Sequence, residues 1–388
     1  MVVHELAHAA TAGVKYTSVH NTGDYVWPYI SQDQLLSMWA VPIGLFLLIL
    51  IWLRVIWTKN VDMFTKEEAC CCPGSLQHAG QPTLAGRQYA EDWKKTFDMV
   101  FLLVMTILLG ILVGVTVIYE PHLFHEMNFW KMNLFKLAVM MIVSLLGGLL
   151  CRSFCPVDEE GYITTSKASW FKVNYTRKFQ HFAAYAIPLL IKTDVPGNPV
   201  LHLIWGDFFT LIGFLVLIKP LRENFQPFML MFNSLDRPED RPNCLKWIIA
   251  GNIWPGLCMI IFFDWLFLRF GPAQQKLVMI FVLVAGVGDG LAEPVGIYTG
   301  QHKYRTRSCG TSAVYLRSFE GSACVFLTSF VWIIWYYQSF ENELQFWICM
   351  AVLPITSAIA EATSPHTMDT PFLMGLGGLI IYVLLRWY

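Results

Sequence analysis

Charge is scarce in this sequence. Of 388 residues only 14% are Asp, Glu, Lys or Arg, against 55% hydrophobic and 15% aromatic. Soluble domains carry about 25% charged residues, so an integral membrane protein is expected. The first 35 residues contain Lys15 and no Arg. They lack the charged start and apolar core of a signal peptide and the Arg/Ser-rich look of a transit peptide. The first membrane segment is therefore expected to act as its own uncleaved signal. No basic domain or face stands apart in a chain of net charge −1, which argues against nucleic acid as a partner. The ten cysteines show no zinc spacing, and Cys258, Cys324 and Cys349 fall in apolar runs, so reduced thiols are expected. Cys70, Cys71 and Cys72, close to a membrane segment, are either S-acylation candidates or free loop thiols. There is no internal repeat, whereas a transporter tends to have repeated halves with paired broken helices.

What is present is a series of long apolar runs. A bilayer-spanning helix needs about 20 mostly apolar residues. Ten candidates follow, at 36–57, 97–119, 132–151, 179–195, 200–218, 247–268, 275–298, 320–337, 345–361 and 370–386, and predict an all-α polytopic fold. The loops after odd-numbered segments hold 20 of the 27 Lys and Arg residues. By the positive-inside rule these loops face the cytosol and both chain ends face away. The longest loop, 58–96, is polar and without apolar periodicity.

Four stretches stand out on the cytosolic side. The first runs from Gly286 to Ser322. It carries an intramembrane acid, Asp289, and glycines at 286, 288, 290, 296 and 300; His302, Lys303, Arg305, Arg307 and Arg317 come next, then Glu320-Gly321-Ser322. Carboxylates flanking cations, with glycines allowing close backbone approach, suit a metal-bound polyphosphate. Asp289 is a candidate magnesium ligand or base, since intramembrane acids face a bundle interior or cavity. Glu293, four residues on, shares its helical face, so the two carboxylates could share a cation. Lys303, Arg305, Arg307 and Arg317 suit phosphate, Lys as a point charge and Arg as a fork; otherwise they are membrane anchors. Gly321 and Ser322 open a helix whose free N–H groups favour anions.

The second stretch, Arg177-Lys178-Phe179-Gln180-His181, is either a positive-inside anchor or a phosphate contact, with His181 a turn deeper. The third, 234–242, is a proline-stiffened run of alternating charge that could line a cleft. The fourth, 361–371, holds Glu361, His366 and Asp369 between apolar runs and supplies further metal and substrate ligands. Two other matches carry little. His4-Glu5-Leu6-Ala7-His8 fits HExxH, but at the extreme N-terminus and without a third ligand; Asn174-Tyr175-Thr176 is a glycosylation sequon expected to be unused on the cytosolic side.

Asp289-Gly-Leu-Ala-Glu293-Pro-Val-Gly296, then Gly300, Lys303 and Arg317-Ser-Phe-Glu320-Gly321-Ser322, resembles the signature of the CTP-dependent polyprenol kinases. That family comprises dolichol, phytol, farnesol and fungal-type diacylglycerol kinases and is related to the phosphatidate cytidylyltransferases. Arg177-Lys178-Phe-Gln-His181 is similar to its RKxxH motif, and Glu361, Ser364-Pro365, Asp369 and Pro371 to its E…SP…D…P close. The likeness covers about 175–388, leaving 1–174 as an N-terminal membrane extension with about three spans and a polar loop. The link from Lys303 to Glu320 is longer than in many members, and Leu316 and Thr370 depart from the common pattern. The resemblance implies phosphorylation of a membrane lipid alcohol by CTP with a divalent metal such as magnesium. Asp289, Lys303, Arg317 and Glu320 would bind nucleotide phosphates and metal, at an internal membrane such as the endoplasmic reticulum. The alternatives are cytidylyl transfer to phosphatidate, for which the KRxxKD and HGGxxDRxD patterns are missing, and a transporter or non-catalytic membrane protein.

Overall fold

A computed structural model of the chain describes residues 89, 94–164, 170–191, 199–237, 240–310, 313–365 and 367–387. The expected span at 36–57, most of loop 58–96, the HExxH match, Cys70–Cys72 and His366 lie outside the described residues.

The described residues form a mostly helical membrane protein. The principal helices are α1 (Thr96–Tyr119), α2 (Met127–Phe154), α3 (Val173–Leu190), α4 (Pro199–Leu215), α5 (Lys219–Asn224) and α6 (Gln226–Asn233). They continue as α7 (Cys244–Leu268), α8 (Pro272–Tyr298), α9 (Phe319–Trp335), α10 (Glu343–Thr363) and α11 (Asp369–Trp387). Six of these, α1, α2, α7, α8, α10 and α11, are long and apolar enough to cross a membrane; α9 and the Leu201–Leu215 part of α4 are shorter apolar helices. Each of the nine expected segments from 97 onward overlaps a helix, although α3 carries a polar first half. Their outward faces are apolar: Ile107, Ile118, Phe135, Leu146, Val331 and Ile359 are all more than half exposed. Exposed apolar surface on this scale is intelligible only against lipid.

The departures from all-α structure, among the described residues, are a Val157–Ile163 bridge and an antiparallel hairpin of β1 (Lys303–Arg307) and β2 (Val314–Ser318). The long link from Lys303 to Glu320 is therefore built on a hairpin. Its register pairs Lys303 with Ser318 and Arg307 with Val314.

Two helices contain a π-helical turn. In α7 it covers Trp247–Ile253, and in α8 Val284–Asp289. Such turns arise where packing or function overrides regular i→i−4 bonding. The glycines of α8 give the reason here. A Cβ at Gly286 would lie 2.6 Å from the Tyr185 ring, and one at Gly290 2.7 Å from the Phe182 ring. These glycines, expected to allow close backbone approach to a polyphosphate, let α3 pack directly on α8. The core below is aromatic and aliphatic, with Phe263, Phe267, Phe281, Val325, Ile333, Cys349, Leu353 and Ile381 buried at the junction of α7 to α11.

Candidate functional site

Loops and helix ends distant in sequence converge on one end of the bundle. Arg177 at the start of α3 donates to Asp240 Oδ2 at 2.7 Å. Arg237 joins that carboxylate through Nε and Nη2, both at 2.8 Å, and reaches Glu293 Oε1 through Nη1 at 2.9 Å. Arg317 on β2 meets Glu361 Oε1 at 3.2 Å and the Glu361 carbonyl at 3.3 Å. Cys309 N–H donates to Thr363 O at 2.7 Å, tying the hairpin to the end of α10. The loops that the charge count assigned to one side are thus together in space.

At the centre is an ionic cluster sunk into a cavity of about 1290 Å³. Lys178 Nζ lies 2.8 Å from Asp289 Oδ2 and 3.6 Å from Glu293 Oε2. The cation shared by these two carboxylates is therefore a side chain of the chain itself. Glu293 is further held by Asn174 at 2.6 Å, so the sequon asparagine faces the cluster. The Asp369 carboxyl lies beside Asp289 and within its field. Asn252 Nδ2 donates to Asp369 Oδ1 at 2.8 Å. Both π-helical turns end at this spot, one delivering Asp289 and the other Asn252.

Two carboxyl groups held this close, with Glu361 nearby, need a proton or a cation between them. Arg317 feels the same crowd of acids. Burial pulls its guanidinium down, but Glu361, Asp369 and Asp289 outweigh that and leave it raised. Its Nε is buried without a partner. His181 Nε2 is 3.0 Å from the Ala285 carbonyl, which can only accept, so this nitrogen carries the proton. Asp289 is 3.8 Å from it. Thr367, just before Asp369, has a positive φ of 62°, a costly conformation for a β-branched residue. Strain of this kind clusters at functional sites.

Arg177, Lys178, His181, Asp289, Glu293, Gly296, Lys303, Arg305, Arg317, Gly321, Ser322, Glu361 and Asp369 all line the cavity. Three expected residues stand elsewhere. Glu320 turns outward to accept from the Gln301 and His302 N–H groups, both at 3.1 Å, and from His302 Nδ1 at 2.7 Å. It braces the hairpin and lies off the cavity lining. Arg307 is at the far end of β1, one strand length from the mouth. Gly300 is a packing residue, whose Cβ would fall 2.9 Å from the Ser318 side chain. The period-two alternation of strands also divides the expected cation cluster. Lys303 and Arg305 share one face of the hairpin, and Arg317 has the other.

Sequence reasoning did not assign Asn252, Asn174, Arg237 or Asp240. The 234–242 run was marked by its charge density, but Asn252 sits in an apolar run with nothing beside it to signal a ligand.

Lining also comes from outside the 175–388 region. Asn133, Leu137, Met140, Met141 and Ser144 of α2 line the cavity together with residues of α4 and α7. The N-terminal region is thus part of the chamber. No protein-family model, curated protein or solved structure matches this chain.

The donor set bears on a metal. No group of three or more His, Cys, Asp or Glu residues that could hold a metal ion occurs among the described residues. Magnesium, however, is commonly held by one or two carboxylates with the rest of its shell from water and phosphate. The Asp289–Asp369 pair meets that need with oxygen donors alone.

Proposed function

We propose that the chain phosphorylates a membrane lipid alcohol, using CTP and a divalent metal, at the cytosolic end of a bundle of about ten spans. The observation that carries this reading is the Asp289–Asp369 carboxyl pair. It sits beside Lys178 and Arg317, in a chamber that Lys303 and Arg305 also line and whose remaining walls are largely apolar. A polyphosphate needs such cations, and a lipid tail needs such walls.

Asp289 and Asp369 would hold magnesium, which when bound neutralises phosphate oxygens. Lys178 fixes Asp289, and Asn252 fixes Asp369, so both carboxylates are oriented before substrate arrives. Lys303 and Arg305, exposed and without a partner among the described residues, are placed to receive the outer phosphates. Arg317, locked by Glu361, presents its fork from the opposite face of the hairpin. Phosphoryl transfer relies mainly on positioning and charge stabilisation, and this arrangement supplies both. A carboxylate of the cluster or His366 would accept the hydroxyl proton. The polarity of the chamber matches its surroundings, with nucleotide entering from water and alcohol from the bilayer.

The test is transfer of label by the purified protein. CTP labelled at the γ or α phosphate is supplied with dolichol, phytol, farnesol, diacylglycerol or phosphatidate. γ label in an alcohol is the expected result. α label in phosphatidate with released pyrophosphate would replace the reading by cytidylyl transfer. No label in any lipid would overturn it.

A further inference from the structure

The chamber contains a second polar element that the phosphoryl chemistry does not use. Asp207 lies midway along α4 and lines the same cavity. Its Oδ2 is shut off from solvent and has no hydrogen-bond partner. It takes part in no ion pair among the described residues, unlike the acids at the mouth. The same cavity is lined by the apolar Leu203, Phe209, Leu257 and Ile260 and by the polar Asn133, Lys136, His202 and Thr210, none of them hydrogen-bonded to Asp207. Cys258 of α7 lies within its field. Along α7, Cys258 is six residues beyond Asn252, the residue that holds Asp369. At about 1.5 Å per residue Cys258 is roughly 9 Å along α7 from Asn252.

Leaving a buried carboxyl oxygen unbonded costs about 1–3 kcal/mol, and acids at membrane depth mark paths or binding sites. Asp207, without the paired Lys and Arg that offset the acids at the mouth, is not a phosphate site. What reaches this depth is the chain of a lipid whose head is at the mouth.

We propose that Asp207 is a specificity-determining residue that hydrogen-bonds a hydroxyl carried part-way along the chain of the lipid substrate. Asp207 thus selects a lipid alcohol with a second polar group over a plain polyprenol or alkanol. This inference rests on the reading of the chamber as a lipid-alcohol site, but it can be tested by binding alone. Either protonation state can serve, since a carboxylate accepts from the hydroxyl and a carboxylic acid also donates to it.

The experiment measures binding and phosphorylation of a matched pair, hexadecan-1-ol and its 8-hydroxy derivative, by the full chain in detergent. The wild type is expected to bind the diol about tenfold or more tightly than the mono-alcohol, a difference of one well-made hydrogen bond. Asp207→Leu should abolish that preference while leaving mono-alcohol binding unchanged, and Asp207→Asn, which keeps a donor and an acceptor, should retain most of it. The inference is overturned if wild type binds both lipids equally, or if Asp207→Leu weakens both to the same degree. Should Asp207→Leu fail to fold, the wild-type comparison and Asp207→Asn still decide. Preferential binding of the diol without transfer of γ label to either lipid would sink the kinase reading and leave the Asp207 site standing.

Discussion

At the scale of single residues, Lys178 carries the most. It is buried, it meets Asp289 and Glu293, and it lies within the field of Asp369. Removing one partner of a buried ion pair leaves the other uncompensated, at a cost of about 3–5 kcal/mol. Lys178→Met should therefore lower thermal stability sharply. Adding Asp289→Asn to it should recover about 1 kcal/mol or more, because the double variant buries less unpaired charge. Melting curves of the four proteins in one detergent check this, and strict additivity would refute the pairing. Asp289→Asn alone should also cut γ-phosphoryl transfer by about 10²-fold or more, the usual loss when a preorganised charge stabiliser goes.

At the scale of elements, the helices were legible because their apolar runs exceed anything a soluble core requires. Nine expected segments overlap helices among the described residues, and six of those helices are long and apolar enough to cross a membrane. The hairpin was not legible, since Lys303–Arg307 and Val314–Ser318 were read as a charged link and not as strands. Alternation there places cations against Tyr304 and Thr306, a pattern easily taken for a polar loop. The π-helical turns were hidden for a different reason. The turn in α8 lies at the direct contact of α3 with α8, and the turn in α7 packs Gly251 against Thr367, contacts that no local pattern encodes. The glycines at 286 and 290 were visible, but their purpose was not. Of the site, the acids and cations could be read, whereas which of them paired together could not, because pairing is fixed by helix contacts between distant segments. The packing account makes its own prediction. Gly290→Val forces a side chain into the Phe182 ring and should cost about 1–3 kcal/mol. Since α3 carries Lys178, the same change should reduce phosphoryl transfer by more than the stability loss explains. Activity measured well below the melting temperature separates the two effects.

At the scale of the whole molecule, the boundary near residue 174 does not isolate the chamber. α2 supplies part of its lining, and Ser144 Oγ donates to Gln180 Oε1 at 3.1 Å across the boundary. A fragment beginning at residue 170 should thus lack lipid phosphorylation even if it inserts, and size-exclusion profiles should show it aggregating once its chamber opens to detergent. Tyr89 crosses the same boundary from farther away. Its hydroxyl donates to Asp236 Oδ1 at 2.7 Å, and its ring stacks on Tyr162 at 4.5 Å beneath Arg222. Asp236 in turn receives Arg241 at 2.8–2.9 Å, beside the residues that hold Arg177 and Glu293. All these partners follow Tyr89 in the chain, the last by 147 residues. During synthesis, then, Tyr89 leaves the ribosome long before the surface that receives it exists. Closure of so long a loop costs only slightly more than closure of a short one, so the delay is one of order and not of energy. The buried tyrosine is set in place only after α1 to α6 have been made, at about the stage when the wall of the ionic cluster is itself completed.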